Sequence, residues 1–164
     1  MKAIILTFVL AVTLAFTVKP TDPKEIARFL TEAADARMMD REEGKLAIQK
    51  GTTKDIRDYG EWMVKDQTAL LGELEKVAAK KNVMLPKAIS DKKQKALTKL
   101  SEKTGADFDR KFLSMIKIDH KRDVKQFKKA SKYSDIDVMQ FATEFLPMIE
   151  KHLSGVKAIK QSMK

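Results

Sequence analysis

Residues 112–127 read FLSMIKIDHKRDVKQF. His120, at the centre of this stretch, is one of two histidines in the chain. At 100° per residue, Leu113, Ile116, Val124 and Phe127 all fall within roughly 40° of it. The stretch is therefore an amphipathic helix whose buried face carries an imidazole at its middle. Phe108 and Phe112 extend the same side, and Thr104 with Asp107 stands in capping-box register before it. Three further segments repeat the design.

Working outward, Asp22, Pro23 and Glu25 open a first helix, with Ile26, Phe29, Leu30, Ala33, Ala47 and Ile48 at helical spacing and Gly51 at its end. Thr52 and Asp55 are in register to start a second. Its stripe is Ile56, Tyr59, Met63, Leu70, Leu71, Leu74 and Ala78, and Asn82 and Pro86 follow its exit. Ser134 with Asp137 opens the last long helix, which carries Phe141, Phe145, Met148, Val156 and Ile159 and is interrupted by Pro147. Each long helix is about 28 residues, or about 40 Å. The turns after the first and third are short, which predicts antiparallel hairpins. Residues 82–104 form a longer connection with a short helix of its own after Ser90. The expected fold is all-α, a four-helix bundle with one long crossover, the ferritin-like topology. The alternative is a plain up-and-down bundle.

The same wheel centres the other stripes on polar residues. His152 lies among Phe141, Phe145, Met148, Val156 and Ile159, and Gln67 among Ile56, Gly60, Met63, Leu71 and Leu74. Asp40 lines up with Phe29, Ala33, Ala36 and Ala47, and Glu43 stands one turn on. Counted from the turns, the members of each hairpin sit within about 5 or 6 Å of one level. A buried polar cluster follows: His120, His152, Asp40, Glu43 and Gln67, flanked by Asp66, Asp119 and Asp123. Two readings stand side by side. One is a site for a divalent transition metal built from His120, His152, Asp40 or Glu43, with Asp123. The other is a hydrogen-bonded core network in which Asp40 pairs with an imidazole and Gln67 satisfies what remains. The Glu-x-x-His spacing of a dinuclear carboxylate site is absent: Lys117 and Ile149 stand three before the histidines.

Nucleophilic catalysis finds no cysteine, no serine in a strand–turn–helix frame and no Gly-rich phosphate loop. The formal charge of +10 comes from lysines spread over every helix. Without an Arg-rich block or aromatic–basic alternation, it excludes nucleic acid as a partner and reads first as a solvated face, with peripheral contact with anionic envelope surfaces as the alternative. Residues 1–17 read as a signal peptide, with one Lys, an apolar run to Phe16 and small residues at Thr13 and Ala15. An uncleaved anchor is the alternative. The expected location is periplasmic or secreted, and the expected folded domain is 22–162.

The stretches FLTEAADARMMDREEGKLAIQKG, YGEWMVKDQ, FDRKFLSMIKIDHKRDVKQF and FATEFLPMIEKHL resemble the bacterial domain of unknown function 4142 family over roughly residues 26–160. The resemblance implies a ferritin-like, exported protein of unestablished activity. That family's pattern reads Met-Val-x-Asp-His in the second helix, then a histidine in the third, then Leu-Pro-x-x-x-x-His in the fourth. This chain has Asp66-Gln67 at the first of these, keeping His120 and His152. Gln is a poor transition-metal ligand, so the departure weakens any metal site the family shares.

Overall fold

A computed structural model describes residues 20–163. It contains five helices: α1 (Pro23–Lys50), α2 (Lys54–Lys80), α3 (Asp91–Ser101), α4 (Gly105–Ala130) and α5 (Ile136–Ser162), with no strand among the described residues. The expected leader, residues 1–17, lies outside them. No helix among the described residues is long and apolar enough to cross a membrane.

The helix ends follow local chemistry, with two shifts of one residue. Asp22 caps α1 by accepting from the Lys24 amide at 2.8 Å, and the Gly51 amide closes that helix on the Ala47 carbonyl. The cap of α2 is Thr53 rather than Thr52. Thr52 gives its amide, at 3.2 Å, and its hydroxyl to Asp109 of α4. Asp109 is buried and needs donors. Likewise Asp135, not Ser134, caps α5 by accepting from the Val138 amide at 3.1 Å, while Ser134 is engaged with Thr21. Asn82 leaves α2 with φ of 54°, the left-handed turn expected at a helix exit. α5 runs through Pro147 without ending.

Packing follows from the stripes. α1 lies against α2 and α4, and α5 against α2 and α4. Lys80 at the end of α2 pairs with Asp137 at the start of α5, and Tyr59 early in α2 reaches the His152 carbonyl late in α5. Those two helices are antiparallel. Lys129 late in α4 pairs with Glu25 early in α1, so they are antiparallel too. Within the connection, α3 starts beside Asp35, which accepts from the Ser90 amide at 2.8 Å, and ends beside Lys50, which donates to the Ser101 carbonyl. α3 therefore runs along α1 in the same sense and returns the chain to the end where α2 began. α2 and α4 consequently run the same way.

The α1–α2 contact depends on two glycines. A Cβ on Gly60 would sit 2.7 Å from the Gly44 carbonyl oxygen and 3.0 Å from the Ala47 Cβ. Helix propensity alone favours Gly60→Ala by up to about 1 kcal/mol. Backbone cannot yield as a side chain does, so overpacking should win. Urea unfolding of Gly60→Ala is expected to show a net loss of about 1–3 kcal/mol. A gain would mean that the two helices are not in close contact.

The apolar interior is in two parts. One cluster is built from Ile26 to Ala34 of α1, Leu70 to Ala78 of α2, the end of α4 at Phe127 and Ala130, and Val138 to Ile149 of α5. The other uses Ala47, Ile56 to Met63, Leu100, Phe108 to Ile116 and Val156. Between them each long helix contributes polar residues instead. That intervening layer is the candidate site.

Candidate functional site

The layer holds Arg37, Asp40 and Glu43 from α1, Gln67 from α2, His120 and Asp123 from α4, and His152 from α5, none more than 1% exposed. Helical spacing places them: Arg37, Asp40 and Glu43 are successive turns of α1, and His120 and Asp123 successive turns of α4.

Arg37 organises the charges. Its Nη2 donates to Asp123 Oδ2 and lies 3.0 Å from Asp40 Oδ2. Sequence reasoning missed this residue. It also misassigned the partner of Asp40, which meets the guanidinium and forms no hydrogen bond to an imidazole. Burial alone would strip the charge from Arg37, but Asp123 and Asp40 hold it on more firmly than usual.

The imidazoles are oriented from outside the layer. His120 Nδ1 is 3.2 Å from the Ile116 carbonyl oxygen, which can only accept, so Nδ1 carries the proton and Nε2 keeps its lone pair. His152 Nε2 is 2.9 Å from Asp66 Oδ2, which places its proton on Nε2 and leaves Nδ1 as the lone-pair nitrogen. The two rings lie parallel, 6° apart in plane, with centroids separated by 5.5 Å. Trp62 packs on His152 at 4.2 Å between centroids, and Tyr59 donates to the His152 carbonyl at 3.0 Å. Burial, then Arg37, pushes His120 down to about 4, and burial pushes His152 down to about 4. Both rings are neutral at pH 7.

The acids move the other way. Burial raises Asp40 to about 7 against the pull of Arg37. Burial and the neighbouring Asp40 hold Glu43 well above the usual carboxylate range.

Of the residues marked from the sequence, Asp40, His120 and Asp123 converge: one donor atom from each lies within 4.8 Å of the other two. Glu43 and His152 are buried in the same layer but do not complete that group. Asp66 and Asp119 sit at the rim, partly exposed, Asp66 on His152 and Asp119 on Arg122 at 2.8 Å. Gln67 does not satisfy the remainder. Both its amide atoms, both Glu43 oxygens, His120 Nε2 and His152 Nδ1 are buried with no hydrogen-bond partner among the described residues. A buried group left so costs about 1–3 kcal/mol. The layer is thus not a self-satisfied network. The one clue to Arg37 in the sequence is its spacing of three from Asp40.

The model of the Domain of unknown function (DUF4142) matches residues 13–159. The chain belongs to the DUF4142 family. No curated protein matches this DUF4142 member. Among solved structures it resembles one described as the crystal structure of a DUF305 fragment from Deinococcus radiodurans. The TM-score is 0.73 at 12% sequence identity, over 86% of this chain and 97% of that one. The likeness is one of all-helical fold.

Proposed function

We propose that this DUF4142 chain is an exported, non-catalytic helical bundle of ferritin-like type that works as a binding or structural module at anionic envelope surfaces. The ferritin-like reading is supported by α3 running along α1, which sets α2 and α4 in one sense. The export reading is supported by the signal-like segment over residues 1–17.

One observation carries the non-catalytic reading: both imidazoles and the acids around Arg37 are enclosed. The residues of the polar layer are at most 1% exposed. The surface depressions of 200–600 Å³ are lined by other residues, such as Glu25, Lys128, Lys129 and Tyr133 at the largest. A molecular substrate has no route to the imidazoles through these depressions.

Charge supplies the binding face. A depression of 410 Å³ between α3 and α4 is lined by Lys92, Lys95, Lys99 and Lys111 around Ala96. Nearby Lys93 is held by Asp35 at 3.4 Å. The four lining lysines form no ion pair with a described residue. Each lysine near an anionic lipid surface is worth about 1 kcal/mol. Co-sedimentation with phosphatidylglycerol vesicles should therefore be lost in high salt. The triple variant Lys92→Gln, Lys95→Gln, Lys99→Gln should partition on the order of 100-fold more weakly. Equal binding to phosphatidylcholine vesicles, or no response to the variant, would refute the surface.

A second reading, a divalent-metal redox or storage protein of ferritin-like type, is favoured by the convergence of Asp40, His120 and Asp123.

A further inference from the structure

We propose that the buried layer binds one divalent first-row transition-metal ion, held by Asp40, His120 and Asp123 with Glu43 as an adjacent unpartnered acid, and that Arg37 is a permanent counter-charge beside it. The inference makes the second reading specific and does not depend on the envelope reading.

Four observations support it. The first is position. The donor atoms of Asp40, His120 and Asp123 lie within 4.8 Å of one another, and ligands on a tetrahedral ion at about 2.0–2.2 Å stand about 3.3–3.5 Å apart. Small side-chain rotations close that difference. The second is tautomer. The bond from His120 Nδ1 to the Ile116 carbonyl leaves Nε2 as a lone-pair nitrogen, and Nε2 is buried without a partner. An outer hydrogen bond that fixes the free nitrogen is how proteins prepare a histidine ligand.

The third is charge. The layer buries three carboxylates, Asp40, Glu43 and Asp123, against one guanidinium. Once the three acids give up their protons to an incoming cation, they exceed the one guanidinium by two formal negative charges, the amount one divalent ion cancels. Arg37 already touches both carboxylates, so an ion would share them with the guanidinium, and without Arg37 the acids would exceed what a divalent ion can balance. The fourth is Glu43. Both its oxygens are buried and unpartnered, one helical turn from Asp40. Two or three carboxylate oxygens with one imidazole nitrogen suit Zn²⁺, Mn²⁺, Fe²⁺ or Co²⁺ rather than a thiophilic ion.

His152 is separated from this role. Its free nitrogen, Nδ1, is not among the converging donors. The two histidines should therefore behave differently.

Full-length protein purified without a histidine tag would be refolded from urea with Zn²⁺ alone or Co²⁺ alone, then dialysed. Refolding gives the ion access to atoms that the folded chain encloses. The expected content is close to one ion per chain in the wild type and in His152→Gln. His120→Gln should lose affinity by at least the ~10–100-fold that removal of an outer partner alone costs. A wild type that regains its helical circular dichroism yet holds no ion would overturn the proposal, as would undiminished binding by His120→Gln. If His120→Gln does not fold, the Co²⁺ wild type decides. Large contact shifts on the ring protons of the ligand His120 are expected, and their absence overturns the site. Vesicle binding by the lysine face should be indifferent to chelator, so the two proposals fail separately.

Discussion

Arg37→Met should destabilise this protein by about 3–5 kcal/mol, the cost of removing one partner from a buried ion pair. The side chain of Arg37 is wholly enclosed, and its Nη2 serves both Asp123 and Asp40. Met approximates its volume and keeps the apolar contacts of its stem, so lost packing contributes little. What remains is Asp123, 1% exposed, with no cation in the dry interior. Domains of this size are stable by about 5–15 kcal/mol, so the loss is a large share of the whole. The double variant Arg37→Met, Asp123→Leu should recover most of it, because replacing both charges by apolar groups removes the desolvation of each. Urea unfolding followed at 222 nm gives both numbers. A single variant within 1 kcal/mol of wild type would show that Arg37 is not the charge around which the layer is built.

The helices were legible because their signals are local: stripes of Phe, Leu and Ile at helical spacing, Pro23 at a start, Gly51 at an end, Asn82 at an exit. His120 and His152 were legible for the same reason, standing at the middle of apolar stripes where solvent cannot reach. Arg37 was not. It lies in the run DARMMDREE, residues 35–43, where an arginine reads as one more solvated charge. The distant Asp123, 86 positions along the chain, joins Asp40 in making its burial tolerable. The same limit explains the caps. Thr52 looks like the start of α2 until Asp109, 57 residues away, takes its hydroxyl. It also explains Asp66. The sequence placed it beside Gln67 as a counterpart of Asp119, while the fold gives it to His152. Period and punctuation are written locally; partner choice is settled by packing between helices.

The layer also sets a pH profile for the metal-free protein, and its sign follows from opposed shifts. Asp40 rises from 3.8 to about 7, and Glu43 rises well above 4.5. For these the folded state binds more protons than the unfolded chain. Their contribution is complete at low pH and is lost as pH rises, through about 4–7 for Asp40 and from above 4.5 for Glu43. His120 and His152 fall from 6.5 to about 4. For these the unfolded chain binds more protons, so stability is lost as pH falls from about 6.5 to 4. Each group tilts the curve by up to about 1.4 kcal/mol per pH unit in its window. Two acids and two histidines therefore oppose one another between about pH 4.5 and 6.5, and stability there should be nearly flat. Above pH 6.5 the histidines drop out and the acids act alone. Stability of the chelator-treated protein should then decline with pH as the two acids ionise. Glu43→Gln should flatten this alkaline limb, because a neutral amide has no proton to lose. His120→Gln should tilt the acid side instead, making stability fall with rising pH between about 4.5 and 6.5. Urea midpoints from pH 4 to 9 give the three curves. A wild-type curve that climbs from pH 6.5 to 8.5 would show that burial does not hold these acids protonated in the folded layer.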